Sequence, residues 1–541
     1  MHRRSFLKNS TVAGLSVAAT ASLTACATGS SDESSDAKNY EAEPFALNEI
    51  TIEEAQQQMA AGTLTAVGLT QQYIDRIAAI DKAGPMLNAV IEMNPDAIKI
   101  AENMDAERKA GKIRSSLHGI PVLIKDNIDT ADKMQTTAGA LALSGNIAKK
   151  DAFIIGKLRE AGAVLLGKTN LSEWANFRSS SSSSGWSSRG GQTKCPYVLT
   201  HNPCGSSAGT GSAVAANLCV IGIGTETDGS VTCPSSVNGL VGLKPTVGLW
   251  SRSGIIPISA TQDTAGPMGR TVKDVATMLG LLTGVDDTDP VTKESTGKTM
   301  PDYTAGLSAG SLLGKKIGVD LKKRSAHYQI NDLLDQALEE LKKQGAEIVD
   351  VSYVDDINAL GDAELTILQY EFKNGINKYL ANSAATVKDL AGVIAYNKQN
   401  EKEAMPLFKQ DQLENCEAKG DLNSKEYLEA LTKGRDGSRK ILNSLMEKHK
   451  LDAFAGITMG PGCSIDMLYG DRYSGDFLTA PAAMSGYPHI TVPAGKMFGL
   501  PVGFSLFGAA YSEAKLLNMA YAYEQATKNR VAPSFLKSMP V

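Results

Sequence analysis

A chain of 541 residues, 42% hydrophobic and 21% charged, can bury a real core, and its length suits roughly two to four domains or one large α/β domain. The formal charge is −5 and no basic stripe recurs after the first few residues, which argues against a nucleic-acid-binding surface. Aromatic residues make up 6%, too few for platforms on which bases stack.

The first residues stand apart. MHRRSFLK carries the pair Arg3-Arg4, VAGLSVAATASLTA follows as a weakly apolar core, and LTAC ends at Cys26. A core of about 14 residues is too short to span a bilayer, so residues 1–26 are expected to be an export signal. Arg3-Arg4 before Ser, Phe, Leu and Lys resembles the twin-arginine export consensus. LTAC resembles a lipobox, in which Cys26 becomes the lipidated first residue. The expectation is an exported, periplasmic or cell-surface protein that meets the membrane only through a lipid on Cys26. Residues 27–43, ATGSSDESSDAKNYEAE, are Ser- and acid-rich and are expected to form a flexible tether.

From residue 44 onward the pattern is that of a folded domain. Residues 48–110 carry helical periodicity, with Thr65 placed as a cap, Pro95 near a helix start and Gly111 near an end. PVLIKD at 121–126 is a short apolar strand ending in charge. DAFIIGKLREAGAVLLGKTN (151–170) predicts a helix, a turn at Ala161-Gly162, and a strand. RSSSSSSGWSSRGGQT (178–193) has the composition of a linker, yet Trp186 and the Gly pair indicate an ordered loop. SAGTGSAVAANL (207–218) predicts a buried helix of small residues, and CVIGIGTE a buried strand. Residues 290–445 are more polar and read as an outer, variable helical layer. DAFAGI, GYPHITVPAG and LPVGFSLFG supply further strands, and 512–529 a closing amphipathic helix. Helices alternating with short buried strands predict one large α/β sheet domain over 44–541.

The chemistry-bearing residues are few. His118, His201, His327, His449 and His489 are scattered, so a Ser–His–Asp triad has little support. No pair among Cys195, Cys204, Cys219, Cys233, Cys416 and Cys463 has zinc-like CxxC spacing, so no metal site is expected, and acyl transfer through a serine needs no organic cofactor. An exported chain can form disulfides, but the spacing assigns none. Gly205–Gly209 reads G-x-S-x-G, which would make Ser207 an elbow nucleophile, although THNP upstream is not a strand. Lys125 ends an apolar strand, where desolvation favours the neutral amine that can accept a proton from a serine. An ordinary strand-end lysine beside Asp126 is the alternative.

Lys125 in GIPVLIKDN, Ser206-Ser207 in CGSSAG, and Ser230 in GTETDGSVTCPSSVNGLVGLKPT together resemble the amidase signature family. Ser206 and Ser230 are 24 positions apart, as the family spaces its two catalytic serines. The resemblance runs from about residue 48 to 285 and returns at GYPHITVPAG and LPVGFSLFG. It implies a central mixed, twisted sheet flanked by helices. It further implies Ser230 as nucleophile, Ser206 as a bridge held through a cis peptide, and Lys125 as base. Backbone N–H groups of Thr227, Asp228, Gly229 and Ser230 would hold the oxyanion.

Many members of the family read Gly-Gly-Ser where this chain has Asp228-Gly229-Ser230, and the Asp228 carboxylate is expected to point away from the developing charge. KTNLSEWANFR, SGWSSRGGQT, TETDGS and SRSGIIPISATQDTAGPM resemble one subgroup, the bacterial peptide amidases, which release ammonia from the C-terminal carboxamide of peptides. A peptide or small-molecule amide is therefore the expected substrate, with Trp174, Asn176, Phe177, Trp186 and Ser207 as pocket candidates. Other linear amides, and an exported binding lipoprotein without catalysis, are the alternatives. A monomer or homodimer is expected.

Overall fold

Among the helices that open the folded chain, the first two start where a threonine satisfies one of their first N–H groups. Thr51 caps α1 (Ile52–Ala60) and forms a reciprocal box with Glu54, while Thr65 caps α2 (Ala66–Arg76) by accepting from Gly68 N–H. The third, α3 (Ala97–Lys109), follows Pro95, and Gly111 leaves it at φ +79°. The computed structural model describes Tyr40 and residues 44–540. The expected export signal, Cys26 and, apart from Tyr40, the tether over 27–43 lie outside the described residues.

An 11-stranded mixed sheet runs through the described chain. In chain order its strands are β1 (Val90–Met93), β2 (Pro121–Lys125), β3 (Val164–Thr169), β6 (Ile221–Glu226), β7 (Val241–Lys244), β8 (Thr264–Gly269), β9 (Lys316–Val319), β10 (Glu347–Asp350), β11 (Ala453–Met459), β12 (His489–Met497) and β13 (Leu500–Phe507). The short pair β4 (Trp186–Ser187) and β5 (Gly191–Gln192) forms a separate hairpin. Across the large sheet the order is β1-β3-β2-β6-β8-β7-β12-β13-β11-β9-β10. Strands β3, β2 and β6 are parallel neighbours, as are β11, β9 and β10, and the remaining pairings are antiparallel. Strands β2, β3 and β6 are buried along their whole length, which matches their nearly continuous apolar sequence.

Helix α4 (Phe153–Glu160) leads through Gly162, at φ +83°, into β3. The small-residue helix α5 (Ala208–Ala215) is buried throughout and packs on β2, β3 and β6. Its Gly209 explains the composition: a Cβ there would meet the backbone of Ala89 and Asn170, the latter's nitrogen at 2.6 Å. The helix lies closer to those backbones than any side chain allows. Helix α6 (Thr232–Val237) packs on β7, β11, β12 and β13, α7 (Val272–Leu281) on β8, and the closing helix Glu513–Thr527 on β12.

Two segments depart from the sequence reading. Val90–Met93, inside the stretch of helical periodicity, is an edge strand antiparallel to β3. The layer over 290–445 does carry α8 (Tyr328–Lys343), α9 (Val354–Asn358) and the long α10 (Gly361–Asn382), but β9 and β10 within it extend the main sheet at its far edge. β1, β9 and β10 are each four residues long, too short to show an alternating pattern among helical neighbours. Strands β7 and β8, which join the two halves of the sheet, carry no strand-like apolar run in the sequence. Among the described residues no helix is long and apolar enough to cross a membrane.

Candidate active site

Parallel pairing of β2 with β6 places Ile124 opposite Ile223, so the last residue of β2, Lys125, comes beside the Thr225 end of β6. Lys125 is fully buried. Its Nζ donates to Ser206 Oγ at 2.7 Å, to Thr225 Oγ1 at 2.9 Å and to Thr225 O at 3.1 Å. Burial pulls its ammonium down to about 7, against the opposing influence of the Asp263 and Glu226 carboxylates. A large share of Lys125 is therefore a free amine near neutrality, in hydrogen-bond contact with a serine.

Ser206 follows a cis Gly205–Ser206 peptide, the feature implied by the family resemblance. Its carbonyl accepts from Ser172 N–H at 3.1 Å, and Gly205 is hemmed in by Ser172 and Ser184, leaving no room there for a Cβ. Ser207 is occupied in a different way. Its Oγ donates to Thr225 O (3.1 Å) and accepts from Thr225 N–H (3.2 Å), and its N–H donates to Ser230 O at 3.2 Å. A hydroxyl spent on strand backbone is not poised as an elbow nucleophile. His118 and His201 are engaged elsewhere, the former with Met104 O and the latter with Thr200.

Ser230 sits on the turn between β6 and α6 and retains 7% exposure, where Ser206 has none. The carboxylate of Glu226 shapes that turn. It accepts from the N–H groups of Gly229 (3.0 Å), Val231 (2.8 Å) and Thr232 (2.9 Å), and from Thr232 Oγ1 (3.1 Å). The N–H of Gly229, expected among the oxyanion donors, is therefore taken by Glu226. Those of Thr227, Asp228 and Ser230 have no hydrogen-bond partner among the described residues. Thr227 is held by its hydroxyl on Asp263 Oδ1 (2.6 Å), while Asp263 Oδ2 accepts from the N–H groups of Ile258 and Ser259, both at 2.8 Å.

Asp228 faces Glu364 on α10 and Thr479, and its Oδ1 has no hydrogen-bond partner among the described residues. Burial holds both acids above the ordinary carboxylate range, and the Asp228 charge pushes Glu364 higher still. Gln262 Nε2 ties this pair to the turn, donating to Glu364 Oε1 at 2.8 Å and to Thr227 O at 3.3 Å.

A cavity of about 370 Å³ reaches the Thr225 and Thr227 side of this arrangement, walled by Asn127, Ile256, Ile258, Asp263 and Asn374 among others. The pocket candidates do not line it. Trp174 and Phe177 pack with Phe372 of α10, at ring distances of 6.3 and 5.3 Å, inside an apolar cluster. Trp186 stacks edge-on against Phe408 at 5.0 Å with the Arg178 guanidinium over it, and Asn176 donates to Ser184 Oγ.

The Amidase family model matches residues 68–517. This chain belongs to the amidase signature family. The amidase is 47% identical to the native peptide amidase from Stenotrophomonas maltophilia, with 91% of this chain and all of that one covered and a TM-score of 0.86. A structure of the peptide amidase PAM in complex with the competitive inhibitor chymostatin matches at 48% identity, 90% and 100% coverage, and a TM-score of 0.87. A protein of Arabidopsis thaliana named "Probable amidase" is 41% identical over 503 residues, covering 91% of this chain and 93% of that one.

Around the amidase's three expected catalytic side chains, several site residues went unnoticed in the sequence. Thr225 and Glu226 look like the polar end of a strand, and Glu364 lies in the layer taken as peripheral. Asp228 alone signals in the sequence that a carboxylate lies against the Ser230 turn.

Proposed function

We propose that this amidase hydrolyses linear carboxamides, the C-terminal amide of peptides foremost, through an acyl-enzyme on Ser230. The observation that carries the reading is the buried Lys125 amine, 2.7 Å from Ser206 Oγ and pulled down to about 7, beside the turn that bears Ser230. Lys125 takes the Ser206 proton, Ser206 takes that of Ser230, and Ser230 Oγ attacks the carboxamide carbon. The carbonyl electrons move to oxygen, which the N–H groups of Thr227, Asp228 and Ser230 hold. The C–N bond then breaks as the proton returns along the same path to nitrogen, and ammonia leaves. Water attacks the ester, surrenders a proton to the relay, and frees the peptide acid and Ser230. Preference for peptide amides is supported by the likeness to peptide amidases across nearly the whole chain.

Ammonia release from peptide amides, free amino-acid amides and long-chain amides, with Ser230→Ala as control, tests this reading. Peptide amides should be turned over fastest, and Ser230→Ala should be inactive while folded. Wild-type turnover in folded Ser230→Ala overturns the nucleophile, and a preference for long-chain or amino-acid amides overturns the substrate class. Export with a lipid on Cys26 belongs to the same proposal. The disulfide between Cys204 and Cys233 supports it, since such bonds persist in oxidising compartments. Metabolic labelling with palmitate, lost in Cys26→Ala, is the expected result.

A further inference from the structure

Cys204 and Cys233 are joined by a disulfide, with Cα atoms 6.1 Å apart. Cys204 lies two residues before Ser206, and Cys233 three residues after Ser230. A single bond thus joins the two short segments that carry the hydroxyls of the relay.

Each hydroxyl is otherwise anchored in its own frame. Ser206 is held by Ser172 N–H on its carbonyl and by Lys125 on its hydroxyl. Ser230 is held by a turn wrapped around Glu226, a residue of β6. Between the frames the backbone supplies the hydrogen bond from Ser207 N–H to Ser230 O, at 3.2 Å. The sulfur atoms add a covalent link with short lever arms. Cys204 sits in the left-handed region at φ +56°, a conformation that a residue with a side chain keeps only when its surroundings hold it there. Cys233 opens α6, with its N–H on Gly229 O at 2.7 Å, so any displacement of its sulfur passes directly into the Ser230 turn. Both cysteines are buried against Val237 and Met459.

We propose that Cys204 and Cys233 are positioning residues of this amidase, whose bond sets the alignment of Ser206 with Ser230. The inference rests on the catalytic reading of those two serines. Proton transfer between two hydroxyls demands close alignment, and among the described residues the disulfide is the one covalent cross-link that spans both segments.

The test uses the whole protein in dithiol and disulfide forms. Dithiol protein comes from a reducing cytoplasm, its cysteines verified by alkylation and mass spectrometry, and is then oxidised in vitro. For each form kcat and KM on a peptide amide, the rate of Ser230 labelling by a fluorophosphonate, and the thermal midpoint are measured. We expect kcat and the labelling rate to be lower together in the dithiol form by about ten- to a hundredfold, the scale of loss when reacting groups shift by about 1 Å, with KM unchanged. Oxidation restores both. The folded double variant Cys204→Ala/Cys233→Ala should behave as the dithiol form and gain nothing from oxidation.

Equal kcat in the two forms, with only the thermal midpoint changed, overturns the proposal and leaves a merely stabilising bond. A dithiol form that does not fold overturns it too, since the bond then serves folding. If both cysteines can still be alkylated after oxidation, no bond joins the two segments and the proposal falls. Activity surviving in Ser230→Ala would instead overthrow the catalytic reading, so the two failures are told apart.

Discussion

A lysine amine serves as a base only when neutral, and at Lys125 desolvation moves that condition into the neutral pH range. Protonation as the pH falls through about 7 removes the base, so kcat should fall about tenfold per unit on the acid side and level off above the midpoint. Asp263 also titrates nearby, pushed up to about 6 by burial. The Asp263→Asn variant separates the two groups: its pH–kcat profile should keep a single lysine midpoint, moved to lower pH because the Asp263 charge no longer opposes the effect of burial on Lys125. A flat profile with chemistry limiting would count against the lysine base. Lys125, Ser206 and Ser230 were legible in the sequence because each lies in a long, ordered motif. Glu226 was not, because a glutamate ending a strand looks like ordinary solvent-facing polarity, whereas it is 1% exposed and accepts three backbone N–H groups. Glu226→Gln keeps the size but replaces one acceptor oxygen with a donor that faces N–H groups. Kinetics should show a loss of about 10²-fold in kcat, comparable to deleting an oxyanion donor, because the Ser230 turn loses its shape. An unchanged kcat would show that the turn holds itself.

Among the elements, those buried on both sides were the easiest to recognise. Strands β2, β3 and β6 read as continuous apolar runs, and α5 as a run of small residues, because each is surrounded by protein. Edge strands carried no such mark. β1 reads VIEM and β10 reads EIVD, and β10 is half-buried to exposed along its length, so neither shows an apolar face long enough to be told from helix. The small residues of α5 carry a consequence of their own. Ser207 precedes this helix directly, so helix position and active-site position are coupled. Gly209→Ala pushes a methyl into the backbone of Ala89 and Asn170, and only a shift of α5 relieves it. Overpacking of this kind costs about 1–3 kcal/mol. Thermal unfolding should register that loss, and because the shift carries Ser206 and Ser207 with it, kcat should drop at temperatures where the protein stays folded. Normal turnover in a destabilised Gly209→Ala would separate the helix from the site.

At the scale of the molecule, the layer between 290 and 445 is bound to the catalytic centre by more than apolar packing. Helix α10 sends Phe372 to Trp174 and Phe177, Glu371 to the hydroxyls of Ser259 and Thr261, and Glu364 to Gln262 and Asp228. The last contact titrates. Burial raises both acids of the Asp228–Glu364 pair; the Asp228 charge raises Glu364 further, whereas at Asp228 Glu226 pushes up and the contacts with Thr479, Lys244 and Glu364 pull down. In the unfolded chain the same carboxyls ionise in their ordinary range, about 4. The folded protein therefore holds more protons than the unfolded chain above that range, and stability contributed by the pair is present at low pH and lost as pH rises through the folded values. Glu364→Gln removes one charge from the pair while its amide oxygen still accepts from Gln262. The variant should match or fall below the wild type in thermal midpoint near pH 4. It should surpass the wild type progressively as the pH rises above about 6, where the native pair ionises against its burial. Calorimetric scans across that range read the difference directly. A midpoint difference that stays constant with pH would mean that the two carboxyls do not share their charge, and that α10 docks on the catalytic turn through Gln262 and the phenylalanine contacts alone.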